Sequence, residues 1–222
     1  MADDFPHIKL VIFDFDGLMV NSEHVVYAAL REIFASHGQN LTWDFYCTTI
    51  GLPSPVAARM YLGHLPIPLS EEELVEAERV SARELMATEL LLLPGLLPLL
   101  EDLRVRGIPS VICSSSRRSY ILPILERFGI AEYFAAVVSI DDVARGKPHP
   151  DLVHKALEVA HVASGQAVML EDSAHGVEAA HAAGVYVIAV PTPGIDLARF
   201  ERADAVVQDL VAAHALVTER LG

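Results

Sequence analysis

Short apolar runs separated by helical patterns constrain this chain more than any other feature. The first, Lys9–Asp14, reads KLVIFD, and further runs lie at Pro109–Ser114, Phe134–Ile140, Ala167–Leu170, Tyr186–Val190 and Ala205–Val207. Such runs, lacking polar alternation, fit strands buried on both faces. Between most of them the period becomes helical. Gly95–Arg106 places Leu96, Leu99, Leu100 and Leu103 on one stripe and stops at Gly107. Ser119–Phe128 stops at Gly129, Asp151–Ala160 follows, and Ala174–Ala183 stops at Gly184. Strands alternating with helices of roughly 10–15 residues form βαβ units around a parallel sheet, so the fold class expected is α/β.

Residues 21–91 break this rhythm. They read as all-helical, with helices at Ser22–His37, near Trp43, at Pro55–Leu62 and at Glu71–Leu90. Ser70 followed by Glu73 has the spacing of a capping box, and Ser54 before Pro55 suits an N-cap and first helical position. Glu71–Glu73 then complement the dipole of a first helical turn. The expected organisation is a core of residues 1–20 and 92–222 with a helical cap, residues 21–91, inserted after the first strand. The chain returns to the core through Leu93-Pro94-Gly95.

Chemistry collects where the runs end. Asp14-Phe15-Asp16-Gly17 follows Val11-Ile12-Phe13, and ligands of open parallel sheets bind beyond the carboxyl ends of the strands. Carboxylates two apart share one face of a continuing strand. One of such a pair can attack phosphorus to give an aspartyl phosphate. The other can handle the proton of the leaving group and then of the attacking water. Gly17 suggests a turn with close backbone approach. A plain Asp-Gly turn, with Asp16 capping a helix, would use the same residues.

Leu170-Glu171-Asp172-Ser173 is a second acidic strand end. Two acidic strand ends in one sheet invite a hard cation, and oxygen ligands with room for water suit Mg²⁺. A helix N-terminus capped by Ser173 is compatible with that role. The run Val111–Cys113 ends in Ser114-Ser115-Ser116. Their hydroxyls and backbone N–H groups suit phosphate oxygens, or equally the capping of a helix after Arg117. Lys147 lies in a loop stiffened by Pro148 and Pro150 and is one of three lysines, with Lys9 and Lys155.

Charge narrows the partners. Lys+Arg 16 against Asp+Glu 30 leaves a net −14, which disfavours nucleic acid and anionic membrane surfaces. Any phosphate site must therefore make its own local positive field, from a cation or helix N-termini. Cys47 and Cys113 are too few for a disulfide framework and suit a reducing cytosol. Met1–Pro6 is acidic without an apolar core, which predicts that it is not a signal peptide. Leu90–Leu100, the longest apolar stretch, is too short to span a bilayer and is interrupted by Pro94, Gly95 and Pro98. A cytoplasmic protein acting on a small molecule is expected, and a monomer is compatible with that.

In order, DFDGLMVNSE, LPG, SSS, GKPHPD, LEDSAHGVEAAHAAG and IAVPTP resemble the haloacid dehalogenase-like superfamily, and within it the β-phosphoglucomutase-like phosphatases. The likeness covers nearly the whole chain. It implies a Rossmann-like core with a helical cap, Mg²⁺ as cofactor and a small phosphorylated metabolite as substrate. It also implies that Asp14 is nucleophile and magnesium ligand. Asp16 would be general acid/base and lend the metal its backbone carbonyl. Ser114 and Ser115 would hold the transferring phosphoryl group, and Lys147 would neutralise charge on that group and on Asp14. Asp172 would bind the metal, and Glu171 would reach it through water. Ser116 and, in the cap, Arg59 are further candidates for substrate contact.

The chain departs from the family pattern in places. β-Phosphoglucomutases carry a histidine twelve positions after the nucleophile and an arginine three after a cap glycine; here those positions are Val26 and, after Gly51, Ser54. They also use a cap lysine, as phosphonoacetaldehyde hydrolases do, and residues 21–91 contain none. Many relatives have aspartate where Asn21 stands. Dehalogenases of the superfamily lack the carboxylate at Asp16. Phosphomonoester hydrolysis is therefore expected, with sugar phosphomutase as the alternative and a non-catalytic binding module as a remoter one. Arg31, Arg59, Arg79 and Arg83 against ten acids give the cap 4 − 10 = −6, which disfavours a polyanionic substrate. Sugar, polyol and nucleoside monophosphates stay open. A cysteine phosphatase built on Cys113 would need arginine where Ser119 stands. No HExxH, P-loop or GxGxxG occurs.

Overall fold

The structure, a computed structural model, describes residues 8–219. Met1–Pro6, read above for targeting, and the outer limits of the expected core lie outside the described residues. One sheet holds six parallel strands, β1 (Leu10–Phe13), β2 (Ser110–Cys113), β3 (Phe134–Val138), β4 (Ala167–Glu171), β5 (Tyr186–Ala189) and β6 (Ala205–Val206). Their order is β3-β2-β1-β4-β5-β6. Every residue of β1, β2 and β4 is buried, which is why these runs show no polar alternation. β3 stops at Val138 rather than Ile140. There Ser139 caps a short 3₁₀ turn, Ile140–Asp142, and the Asp142 carboxylate accepts from the Ser139 N–H at 2.8 Å.

The chain builds outward from β1 through β2 to β3, then returns to lay β4 on the other side of β1. The β1/β4 junction is therefore the switch point at which sheets of this kind open a crevice for ligands. Register levels the strand ends, because Phe13 pairs with both Ile112 and Leu170. The residues that follow β1, β2 and β4 thus emerge along one edge.

By its internal contacts the chain divides into two compact units. One comprises the sheet and its helices, Met1–Val20, Leu92–Pro191 and Leu197–Gly222, and the other comprises Asn21–Leu91 with Thr192–Asp196. The second unit contains α1 (Ser22–Ser36), α2 (Trp43–Cys47), α3 (Ser54–His64) and α4 (Glu71–Glu89). Leu30, Phe34, Tyr61 and Leu74 form its core. Asn21 ties its two ends together, since its Oδ1 accepts from the Leu91 N–H at 2.7 Å. The Trp43 indole N–H donates to the Pro193 carbonyl at 2.9 Å, which draws residues 192–196 onto α2. The Ser70/Glu73 capping box forms in full. Ser54 is not an N-cap: α3 is capped by Pro53 and begins at Ser54, because the fixed proline ring already supplies the turn into the helix.

In the sheet unit the helices are α5 (Leu96–Val105), α6 (Arg118–Phe128), α7 (Asp151–Ala160), α8 (Ala174–Ala182) and α9 (Leu210–Glu219). The helical patterns above did not include α9. Its alanines blur the apolar stripe, yet Leu210, Ala213 and Val217 are buried. Among the described residues no helix is long and apolar enough to cross a membrane.

Candidate active site

β1 ends at Phe13, but its pairing runs one residue further: the Asp14 N–H donates to the Leu170 carbonyl at 3.0 Å. That bond holds Asp14 beside the end of β4, where Glu171 and Asp172 follow. The three residues are 6%, 1% and 4% exposed, so water does little to screen their charges. One oxygen from each lies within 4.8 Å of the others.

Lys147 completes the cluster. Its ammonium hydrogen-bonds Asp14 Oδ1 and donates to Glu171 Oε2 at 2.7 Å. The side chain is 5% exposed, so this is not a solvated loop lysine. The other Glu171 oxygen, Oε1, accepts from the Ser173 N–H at 3.0 Å and from Ser173 Oγ at 2.7 Å. Ser173 Oγ also caps α8 by accepting from the Gly176 N–H at 3.1 Å. Gly176 in turn faces Glu171: a Cβ there would stand 1.8 Å from Oε2.

Burial pushes the Asp14 carboxyl well above the usual range, the Glu171 charge adds to this, and Lys147 opposes it. Burial alone would lower Lys147, but the charges of Asp14 and Glu171 outweigh it and hold the ammonium well above its ordinary value. With every carboxyl ionised, three carboxylates against one ammonium carry a formal −3 + 1 = −2 in a buried space, and the raised Asp14 carboxyl reflects the cost of that excess. An all-carboxylate donor set with that imbalance fits a hard divalent cation, which would cancel the excess. Asp14, Glu171 and Asp172 can therefore hold a metal ion.

The serines after β2 line the same edge. Ser114 is buried; its N–H donates to the Val138 carbonyl and its Oγ accepts from the Ser116 N–H, both at 3.0 Å. These serines do not cap α6, whose N-cap is Arg117 without a side-chain bond. Ser115 is exposed, and its Oγ lies 3.6 Å from where a Cβ on Gly146 would stand, beside the lysine loop. Ser116 Oγ donates to Asp16 Oδ2 at 2.6 Å, and the Tyr120 hydroxyl donates to Asp16 Oδ1 at 3.1 Å. Gly17 adopts φ 73°, and its N–H closes a turn onto the Val20 carbonyl. Arg59 belongs to the helical unit, where its guanidinium is held by Glu71 at 2.8 and 3.0 Å. Cys113 is fully buried, and burial pushes its thiol up to about 12, which removes it as a nucleophile.

Three residues of this site escaped the sequence reading. Tyr120 follows no motif. Ser173 was recognised only as a cap, and Gly176 only as part of a longer string. The signal for Gly176 was a glycine inside a helical pattern that no turn required.

A family model described as haloacid dehalogenase-like hydrolase matches residues 11–190. A protein of Saccharomyces cerevisiae described as a probable pseudouridine-5'-phosphatase is 32% identical over 201 residues, 84% of each chain. The phosphorylated carbohydrates phosphatase of Thermotoga maritima is 29% identical over 178 residues, covering 80% of this chain and 82% of its own. Among solved structures, a variant of CbbY from Rhodobacter sphaeroides in complex with xylulose-1,5-bisphosphate superposes with a TM-score of 0.71. Its identity is 27%, over 92% of this chain and 95% of its own.

Proposed function

The chain belongs to the haloacid dehalogenase-like hydrolases, and from that premise we propose that it is a Mg²⁺-dependent phosphomonoester hydrolase working through an aspartyl phosphate on Asp14. The observation that carries this reading is the buried cluster in which Lys147 bridges Asp14 and Glu171 beside Asp172. A buried ammonium that binds the nucleophile directly is placed to neutralise charge as a phosphoryl group arrives.

Asp14 attacks phosphorus as the bond from phosphorus to the ester oxygen breaks, and Asp16 gives its proton to the leaving oxygen. Asp16 then takes a proton from water, which attacks the aspartyl phosphate, releases inorganic phosphate and restores Asp14. Ser114 and Ser115 hold oxygens of the transferring group. Asp14, Asp172 and the Asp16 carbonyl, with Glu171 through water, would hold Mg²⁺, which would supply positive charge beside that group.

The substrate class is a small phosphorylated metabolite: a sugar, polyol or nucleoside monophosphate. The relatives named above support this breadth, and two free, buried cysteines suit a reducing, cytoplasmic setting. Water is the favoured acceptor over a second sugar phosphate. A mutase must bind two phosphates at once and needs further cations. Val26, Ser54 and the lack of lysine in residues 21–91 withhold them, and Glu71 engages Arg59.

Phosphate release from p-nitrophenyl phosphate should require Mg²⁺ and cease in excess chelator. Undiminished turnover in chelator would sink the metal assignment. A panel of phosphorylated metabolites, scored by turnover, identifies the substrate. Glucose 1-phosphate, with and without a bisphosphate primer, separates the two activities. Primer-dependent isomerisation far outrunning phosphate release would make the enzyme a mutase.

A further inference from the structure

We propose that Tyr120 is a positioning residue for Asp16, acting with Ser116 to fix the carboxylate that serves the leaving group. The proposal rests on the reading of Asp16 as general acid/base given above and adds residues that reading does not contain. Asp16 follows β1 in the turn that Gly17 permits. The segment leading into α6 and the first turn of that helix hold its side chain. Ser116 Oγ donates to Oδ2 at 2.6 Å and the Tyr120 hydroxyl donates to Oδ1 at 3.1 Å, so each oxygen has its own donor. Two donors from one side oppose rotation of the carboxylate about its last bond and define its plane.

The Tyr120 hydroxyl is itself held in place. Its backbone N–H donates to the Arg117 carbonyl at 3.0 Å in the first turn of α6. Its ring meets Phe15 edge to face, with centroids 6.0 Å apart and planes at 89°. Phe15 is fully buried between Asp14 and Asp16 in sequence, so the ring contact anchors the tyrosine to the motif it serves.

The consequence concerns one step. As the bond from Asp14 to phosphorus forms and the ester bond breaks, the Asp16 proton must reach the leaving oxygen. Proton transfer depends steeply on the placement of the acid. Substrates whose leaving group needs that proton should therefore feel the loss of Tyr120 more than those whose leaving group does not.

The test compares phenyl phosphate with p-nitrophenyl phosphate, similar in shape but different in need, because p-nitrophenolate leaves readily as an anion. Tyr120→Phe keeps the ring and its contact with Phe15. It should lower kcat/KM about 10-fold for phenyl phosphate and only about 2-fold for p-nitrophenyl phosphate, a fraction of the full general-acid effect. Asp16→Asn should widen the gap between the two substrates further. Equal losses on both substrates, or no loss on either, would overturn the positioning role. If Asp16→Asn widens the gap and Tyr120→Phe does not, the proposal alone fails. If Asp16→Asn does not widen it, the general-acid reading fails and takes the proposal with it.

Discussion

Gly176→Ala should unfold the site by way of a side chain in the neighbouring strand. Alanine in a helix is ordinarily favoured over glycine, by up to about 1 kcal/mol. Here the new Cβ would stand 1.8 Å from Glu171 Oε2, 1.9 Å from Cδ and 2.5 Å from Cγ. Non-bonded atoms of these types sit roughly 3.5 Å apart, so one group must retreat by roughly 1.5 Å. Glu171 is 1% exposed and tied at 2.7 Å to Lys147 and at 2.7 and 3.0 Å to Ser173. A retreat of that size breaks the Lys147 contact and leaves a buried carboxylate and ammonium short of partners. Losing one partner of a buried ion pair costs about 3–5 kcal/mol, and the helix preference of alanine offsets up to about 1 kcal/mol. The expected net loss is about 2–4 kcal/mol, or roughly 5–15 °C in thermal midpoint for a chain of this size. Thermal unfolding by circular dichroism measures it directly, and the control is the same substitution in a Glu171→Ala background. There the added Cβ meets no carboxylate, so Gly176→Ala should be neutral or slightly stabilising. The same loss in both backgrounds, or a wild-type midpoint for the single variant, would refute the reasoning.

Other substitutions divide the chemistry. Asp14→Asn should abolish both turnover and covalent phosphoryl labelling. Asp16→Asn should retain labelling from an activated ester while turnover drops about 10²–10⁴-fold; equal and mild effects on both would contradict the division of labour. Lys147→Ala should lower kcat more than it raises KM, because its charge counts most as charge develops on the transferring group; a change in KM alone would make it a binding residue. In the helical unit, burial, and next the charge of Glu23, hold Glu78 up at about 7. Between about pH 4.5 and 7 the folded state keeps this proton and the unfolded state has lost it, so stability falls as pH rises, by up to about 3 kcal/mol. Denaturant unfolding at pH 5 and pH 8 should show that slope in wild type and lose it in Glu78→Gln; an identical slope in both would assign it elsewhere.

The strands were legible because burial on both faces leaves a run such as KLVIFD without alternation, and no surface helix looks like that. Asp14 and Glu171 were legible as strand ends, and parallel pairing then brings those ends level. What the sequence could not show is which side chain meets which across long separations. Lys147 reaches Asp14 across 133 residues and Glu171 across 24. Two prolines announce a stiff loop but not its direction. Ser116 and Tyr120 meet Asp16 across 100 and 104 residues, and a tyrosine in a first helical turn carries no local mark of such a task. Ser54 misled because a serine before a proline is the usual cap, while Pro53 had already set the entry.

The two adjacent acids show best where local reading stops. In sequence Glu171 and Asp172 are equivalent carboxylates at one strand end. In the structure both oxygens of Glu171 already accept from the protein, Oε1 from Ser173 and Oε2 from Lys147. A carboxylate held on both oxygens is fixed in orientation and keeps lone pairs with which to meet a cation directly or through water. Through Oε2 it also shares the Lys147 ammonium with Asp14. Lys147 alone beside Asp14 would be a tight neutral pair. With Glu171 on the same ammonium the local balance tips negative, which favours the arrival of a cation over an isolated ion pair. Gly176, whose missing Cβ leaves room for the Glu171 side chain, makes that position possible.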